Sequence, residues 1–470
     1  MHTGLISRAS AQSSKRRDER GVTIVLVALA MVAIISVAAL SIDVITLYLA
    51  REEAQRTADA AALAAARVLS LSGVTGDPDN TQGGLPFPPW QTACNLATQV
   101  AQAVVKQNTI GRAGASSPTV TFLYNGTATS DCTAGGAFAI NPQVKVDVVQ
   151  QGLPTFFSRL WNRTQNQVSA TATAEAFNPS FSLNDSPNGL VTVTPRCVKP
   201  WLVPNQDPRN SVPAPHAPFV VLGNGNIQNP GIQLAPGTGP GSIIGEKFAL
   251  VADCLTGNPN CKHGSGNGLI EPPTANGQGA GTLDYVPALI GGTANGVPSC
   301  ATGSAYQEAI AGCDQSTVYA CGIVSGGTQA DLSFNPGKTS GDTATATECR
   351  IHQNVGQDVL DSTQFPFQIQ AGLGNPVITN AVVTSSNSIV TVPIYDDVAT
   401  AATGAFVSGQ ASVPVNIVGF LQVFINGIDT TTGNINVTVL NVAGCSNTAT
   451  TSTPTVSGSS PVPVRLITAP

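Results

Sequence analysis

GVTIVLVALAMVAIISVAALSIDVITLYLAREEAQRTADAAALAAARVLSLS, residues Gly21 to Ser72, reads as one long helix whose first part is apolar on every side. Val22 to Ile42 is 21 residues without a charge. At the helical rise per residue that run reaches about 31 Å, the thickness of a bilayer's hydrocarbon core. Arg8, Lys15, Arg16, Arg17 and Arg20 precede it, and the next arginine is Arg51. Such a flank holds the basic end in the cytoplasm, which predicts a single span with the bulk of the chain on the other side. A cleaved secretory signal shares the basic start, but its apolar part runs only about 7 to 15 residues before a small-residue cleavage site. Here the run is longer and passes through Asp43 and Tyr48 into sequence that stays helical, so the helix is expected to remain as an anchor.

Beyond Asp43 the apolar surface narrows to a seam. Leu47, Ala54, Ala58, Ala61, Ala65 and Val68 recur at helical spacing, and Glu52 with Arg56 makes an i,i+4 pair on the polar side. Alanine along a seam lets another helix or a sheet approach closely. An Ala-rich connector fits this pattern, and so does a stalk packed on its own globular part and on neighbouring copies. Asp43, an ionisable group at the boundary of a membrane helix, either forms a subunit contact or sits in the headgroup region.

These residues carry a resemblance. ERG before the apolar helix, SIDV at Ser41 to Val44, and REEAQRTADAAALAAA at Arg51 to Ala66 resemble the N-terminal segment of TadE/TadG-like proteins of the tight-adherence, or Flp, pilus. The likeness spans Arg17 to about Leu69, and its most specific part is Gln55 to Asp59 running directly into the alanines. VKVDVVQQGLPTFFSRLWNRTQNQVSATATAEA, Val144 to Ala176, resembles the strand, short Phe-bearing helix and Ala/Thr strand that close the pilin-like module of such proteins. The resemblance implies a membrane-anchored, non-enzymatic component of that pilus or a related secretion system, a minor pilin-like or assembly subunit. Its bulk would lie in the periplasm or at the cell surface. The implied partners are the bacterial inner membrane and other pilus-assembly or pilin-like subunits, with self-association open. Type IV pilins are often cut after a Gly that has Glu five residues on; Gly21 is suitably placed but is followed at that position by Leu26, which implies an unprocessed assembly or minor component. Larger TadG-like proteins can carry a von Willebrand A-type domain with a metal site beginning Asp-x-Ser-x-Ser. The nearest approach here, DLSFN at Asp331 to Asn335, departs from it. A tethered surface adhesin unrelated to pilus assembly is the competing expectation.

The rest of the 470 residues is too long for one core. Charged residues are only 10%, beside 47 Gly and 33 Pro, a mixture that suits many short strands joined by turns. The net charge of −6 and the scatter of basic groups after residue 20 leave no face for nucleic acid. All ten cysteines follow the apolar run, which predicts disulfides in an oxidising compartment. Cys254 with Cys261 and Cys313 with Cys321 are the closest pairs, and no CxxC favours zinc. Cys94 with Cys132, the only cysteines of the first module, is the best-supported bridge.

The fold class expected is α+β: a long N-terminal transmembrane and stalk helix, a small pilin-like helix-plus-antiparallel-sheet module, then a larger β-rich extracytoplasmic region. The segments are a disordered basic leader (1–20), the span and stalk (21–72), the module (73–180), a loop-rich Cys-containing region (181–360) and a β-rich region (361–470). Within the module a helix is predicted over Gln91 to Ile110. Strands are predicted over Thr119 to Tyr124, Phe138 to Ile140, Val144 to Val149 and Gln167 to Phe177, with a short helix at Thr155 to Asn162. Ala305 to Cys313 is the one helix expected between Gly241 and Cys349. Strands in sequence from Phe365 onward suggest an antiparallel sheet or sandwich.

Chemistry is sparse. His216, His263 and His352 stand apart, GKT at Gly337 to Thr339 lacks the phosphate-loop glycine, and GSGNG at Gly264 to Gly268 is no nucleophile elbow. Asp77, Asp79 and Asn80 read as a solvated turn, and Asp396 with Asp397 as residues ending a strand. No catalytic residue, metal or cofactor is expected, and the chain is not expected to be an enzyme.

Overall fold

Helix α1 runs unbroken from Lys15 to Leu71. The computed structural model describes residues 15–72, 75, 88–124, 127–130, 132, 142–153, 166–176, 191–195, 197–208, 217–222, 227–228, 243–252, 275–276, 281–289, 296–301, 303–313, 319–321, 333–334, 340–363, 366–376, 378–383, 385–398, 416–444, 456–458, 462 and 464–467. The helix starts six residues ahead of Gly21. The end of the leader, KRRDER, is therefore helical and not disordered as the sequence suggests; Lys, Arg and Glu are good helix formers and the apolar run supplies a helix to extend. The fold is α+β, and packing divides it into two units. One comprises Met1–Ala58, Val104–Thr119 and Asp147–Thr171, the other Asp59–Ala103, Val120–Val146 and Ala172–Pro470.

Helix α2 (Pro88–Gln107) stops short of the expected Ile110. Asn108 turns its amide back onto the Val104 carbonyl at 2.7 Å, and Gly111 and Arg112 take left-handed φ of 59° and 69°. That reversal makes a hairpin of β1 (Thr109–Ile110) and β2 (Ala113–Gly114). Strand β3 (Thr119–Tyr124) pairs with β4 (Thr127–Thr129), and β5 (Gln143–Leu153) and β6 (Asn166–Ala176) are the long strands. Along β5 the alternation is clean: Val144, Val146 and Val148 are fully buried while Lys145 and Asp147 are half-exposed. The expected strand Phe138 to Ile140 and helix Thr155 to Asn162 lie outside the described residues.

In the larger unit β7 (Val191–Pro195) and β8 (Trp201–Pro204) rise from the region expected to be loop-rich. Trp201, Leu202, Val203 and Phe219 are buried. Then follow β9 (Lys247–Ala252), β10 (Ala275–Asn276), β11 (Thr282–Leu289), helix α3 (Ala305–Ala311), β12 (Tyr319–Cys321), β13 (Ser333–Phe334) and helix α4 (Ser340–Ile351). The remaining strands are β14 (Val359–Asp361), β15 (Gln368–Gln370), β16 (Val382–Val383), β17 (Ile389–Tyr395), β18 (Ile417–Ile428), β19 (Ile435–Gly444), β20 (Val456–Gly458) and β21 (Val464–Ile467).

The main sheet has the order β10-β11-β8-β17-β18-β19-β9, and β9 pairs again with β11. Six strands, β11-β8-β17-β18-β19-β9, therefore close on themselves into a small barrel, with β10 and β13 pairing onto β11 outside the ring. The strands after Phe365 pair antiparallel as expected, β17 with β18 and β18 with β19, but the sheet they join is mixed, because β8 with β17 and β9 with β11 run parallel. One core fills it, with Trp201, Tyr285, Leu421, Val423 and Val437 among its members. Strand β18 is buried on both faces over Ile417 to Ile425, which is why VGFLQVFI reads as a continuous apolar run. Among the described residues α4 adds a second helix to the one, α3, expected between Gly241 and Cys349. In α4, TATATE alternates like a strand, yet Ala344 and Ala346 pack into the core.

The five-stranded sheet has the order β21-β6-β5-β3-β4. Strand β21 thus belongs with β6, with Val464 opposite Ala176 and Ile467 opposite Thr173. VPVRLI, grouped by the sequence with the C-terminal β region, completes the sheet of the N-terminal module.

Candidate membrane anchor and assembly face

The exposed part of α1 is the first element of the site. From Gly21 to Ala38 its residues are exposed except for half-buried Ser36, and Ala39 is the first buried residue. Among the described residues this is the one helix long and apolar enough to cross a membrane. Ser36 and Ser41 return their hydroxyls to the carbonyls of Val32 and Val37, which leaves no polar side-chain group unsatisfied in an apolar setting.

The buried stripe of the smaller unit begins earlier than the spacing indicates. Ala39 and Asp43 are 5% and 4% exposed, whereas Leu47, the expected first member, is only half-buried. Inside a uniformly apolar run every position looks alike, so periodicity gives no onset. Asp43 is enclosed by the fold. Ala54 and Ala58 continue the stripe in the smaller unit, Ala61 and Ala65 in the larger one, and all four are fully buried.

Local contacts of the smaller unit fix α1 in place. The Gly111 amide donates to Glu53 Oε2 at 2.7 Å. A Cβ on Gly111 would press on the end of the Leu153 side chain and come to 3.6 Å from the Ala50 Cβ, and its left-handed φ favours glycine in this turn. Gln55 Nε2 donates to the Thr171 carbonyl at 3.2 Å, and the Thr171 hydroxyl to Asp147 Oδ1 at 2.5 Å.

In the larger unit the end of α1 is held by polar bonds. The Ser70 hydroxyl donates to the Val462 carbonyl at 2.6 Å, and Asn441 Nδ2 donates to the Ser70 carbonyl and to the Thr75 hydroxyl at 2.8 and 3.0 Å. Arg465 donates through Nε to Glu175 Oε2 at 2.8 Å and closes an ion pair across β21 and β6. Burial lowers the pKa of Arg67, which lies on the same part of the helix.

Cys94 and Cys132 form a disulfide with Cα atoms 5.7 Å apart. Cys313 bonds to Cys197, 116 residues away, and not to the nearby Cys321; Cys300 bonds to Cys349. Cys254 and Cys261 lie outside the described residues, and only the backbone of Cys321 is described. The Cys197–Cys313 bridge adjoins two buried cations that the sequence did not reveal. Lys199 Nζ donates to the carbonyls of Ala309, Ile310 and Gly312 at the end of α3, and Arg350 donates to those of Ala311 and Gly312. Carbonyls at a helix C-terminus attract positive charge. Burial nevertheless brings the Arg350 pKa down to about 10.

Of the histidines, His216 and His263 lie outside the described residues. His352 sits in a left-handed turn with φ 55° and bonds Asn387. Beside it Asp358 accepts from the Gly372 amide, Asn375 and Ser386. Asp396 and Asp397 are buried at 5% and 8% exposure, and burial raises the Asp397 pKa although Gln206 donates to it. The GKT, GSGNG and Asp77-to-Asn80 segments lie outside the described residues, as does the start of DLSFN; Ser333 and Phe334 of the latter form β13.

No curated protein and no solved structure matches this chain. Residues 21–68 match the family model described as putative Flp pilus-assembly TadE/G-like. The matched residues are the exposed apolar rod and the buried alanine stripe that follows it, and with them this chain carries a TadE/G-like segment of the Flp pilus-assembly type.

Proposed function

We propose that the chain is a single-pass, non-enzymatic component of a Flp-type pilus or a related secretion system, a minor pilin-like or assembly subunit. Its N-terminus is cytoplasmic, and the bulk of the chain beyond the span lies in the periplasm or at the cell surface. The observation that carries this reading is the coincidence of the matched residues 21–68 with a helix that is bare up to Ala38 and buried along one side from Ala39 onward. The flank of Lys15, Arg16, Arg17 and Arg20 supports the orientation. Three disulfides in the described residues support an oxidising compartment. Deleting the gene is expected to abolish or shorten surface pili, and detergent-solubilised full chain is expected to co-purify with pilus-assembly proteins. Protease added to spheroplasts is expected to digest the bulk and leave a small N-terminal fragment.

A second reading, a tethered surface adhesin without pili, is favoured by one observation: the match ends at residue 68 and leaves the whole barrel outside it. Normal piliation with lost surface attachment in the deletion strain would select it.

A further inference from the structure

Past Asp43 the two sides of α1 differ. Val44, Ile45, Tyr48 and Leu49 are 57, 58, 64 and 55% exposed, while Asp43 and Ala50 are 4 and 2% exposed. At about 100° per residue, Ile45, Tyr48 and Leu49 share a face turned away from Asp43 and Ala50. On that face apolar exposure runs from the start of the rod to Leu49 and gives way to Arg51 and Glu52. Gly21 to Leu49 measures about 43 Å, against ~30 Å for the hydrocarbon core and ~40–45 Å with the headgroup layers. On the other face folded protein begins at Ala39. The same helix is thus covered by protein on one side for roughly 15 Å over which its other side is apolar and bare.

The β1–β2 hairpin lies at this level. The Gly111 amide bonds Glu53, the Gly111 backbone approaches Ala50, and the next residue, Arg112, is exposed in the turn. Arg51 is exposed on the helix itself. The neighbouring acids are engaged: Glu53 by that amide and Glu52 by Arg56 at 3.5 Å.

We infer that the smaller unit is seated in the headgroup layer and does not stand clear of it. Val44, Ile45, Tyr48 and Leu49 face lipid, and Arg51 and Arg112 meet the phosphates of anionic phospholipid. A Tyr at that depth has its ring among acyl ends and its hydroxyl in the wet layer. Two arginines add attraction for an anionic surface. The occupant of the face is lipid because the face continues the apolar rod without a break. This inference rests on the membrane-anchor reading above.

The test uses the full chain with benzoylphenylalanine in place of Tyr48, reconstituted in phosphatidylcholine vesicles with or without phosphatidylglycerol and irradiated. Phospholipid adducts are expected at position 48, and likewise with the probe at Ile45, at least tenfold above those with the probe at Arg56, about 12 Å farther along the helix. Equal yields at 48 and 56 would overturn the inference, as would adducts of position 48 to a second copy of the chain. Arg51→Gln with Arg112→Gln is expected to cut the preference for phosphatidylglycerol adducts several-fold and leave adducts in pure phosphatidylcholine unchanged; an undiminished preference would overturn the headgroup contact. Alkaline carbonate washing separates the two readings. Release of the chain would overturn the anchor and this inference together, whereas retention without adducts at 45 and 48 would overturn this inference alone.

Discussion

Asn441, in the middle of β19, donates its side-chain amide to the backbone carbonyl of Ser70, in the last turn of α1, at 2.8 Å across 371 residues of sequence. Asn441 is fully buried, and its remaining partners are the Thr75 hydroxyl and the Val442 amide. Asn441→Leu leaves the Ser70 carbonyl and the Thr75 hydroxyl short of a donor in a dry site. The expected loss is about 2 to 3 kcal/mol, read as a lower urea midpoint.

The Glu175 carboxylate is 7% exposed and depends on Arg465 for its charge partner. Arg465→Ala is expected to destabilise by about 1 to 3 kcal/mol, less than for a fully enclosed pair because the Arg465 side chain is 28% exposed. Glu175→Gln added to Arg465→Ala is expected to restore part of the loss in a double-mutant cycle.

Lys199 is fully buried and its ammonium lies on the C-terminal carbonyls of α3. Lys199→Met keeps the stem and removes the donors, so the Ala309 and Ile310 carbonyls lose this partner and the Gly312 carbonyl keeps only Arg350. The expected loss is about 3 kcal/mol or more, with the Cys197–Cys313 bridge becoming easier to reduce in a dithiothreitol titration monitored by alkylation.

Asp397 carries a pH signature. Burial raises its pKa above 3.8, so the folded chain holds this proton more tightly than the unfolded one. Its contribution is most favourable in acid and declines as pH rises from about 4 through the raised value. Asp397→Asn is expected to remove that decline, seen as a flatter curve of thermal midpoint against pH in this window.

Ala58 and Ala61 are fully buried within the chain itself. Ala58→Leu and Ala61→Leu are therefore expected to cost about 1 to 3 kcal/mol of folding stability by overpacking, measurable on purified protein without any partner. Loss of crosslinks to pilus proteins would follow from that damage and not report a partner contact by itself.

Where periodicity was strong, the structure follows it. The helix from Gly21 to Leu71, the strand Thr119–Tyr124 and the Ala/Thr strand of β6 lie where alternation and helical spacing put them. Helix α4 was illegible because Thr343, Thr345 and Thr347 alternate with alanine. What makes it a helix is tertiary: Tyr285 and Tyr306 both place a hydroxyl 3.0 Å from the Thr343 hydroxyl. The barrel was hidden for a different reason, since its closure joins β9 to β11 in parallel and no local pattern encodes a parallel partner. Cys313 had a neighbour eight positions on and took Cys197 instead. At the site, the basic flank and apolar run announced an anchor, but the point where protein covers the helix depends on the segments that pack against Ala39, which sequence spacing does not name.

Strand β6 is complete by residue 176, yet the strand that covers its edge is not made until residue 467. During synthesis nearly three hundred residues, the barrel included, must appear before that edge is paired, and closing so long a loop is slow relative to local folding. For that whole interval β6 presents unpaired backbone amides and carbonyls to any other strand that meets it. A chain cut short within the barrel keeps that edge open permanently, so the module itself registers whether synthesis has reached β21.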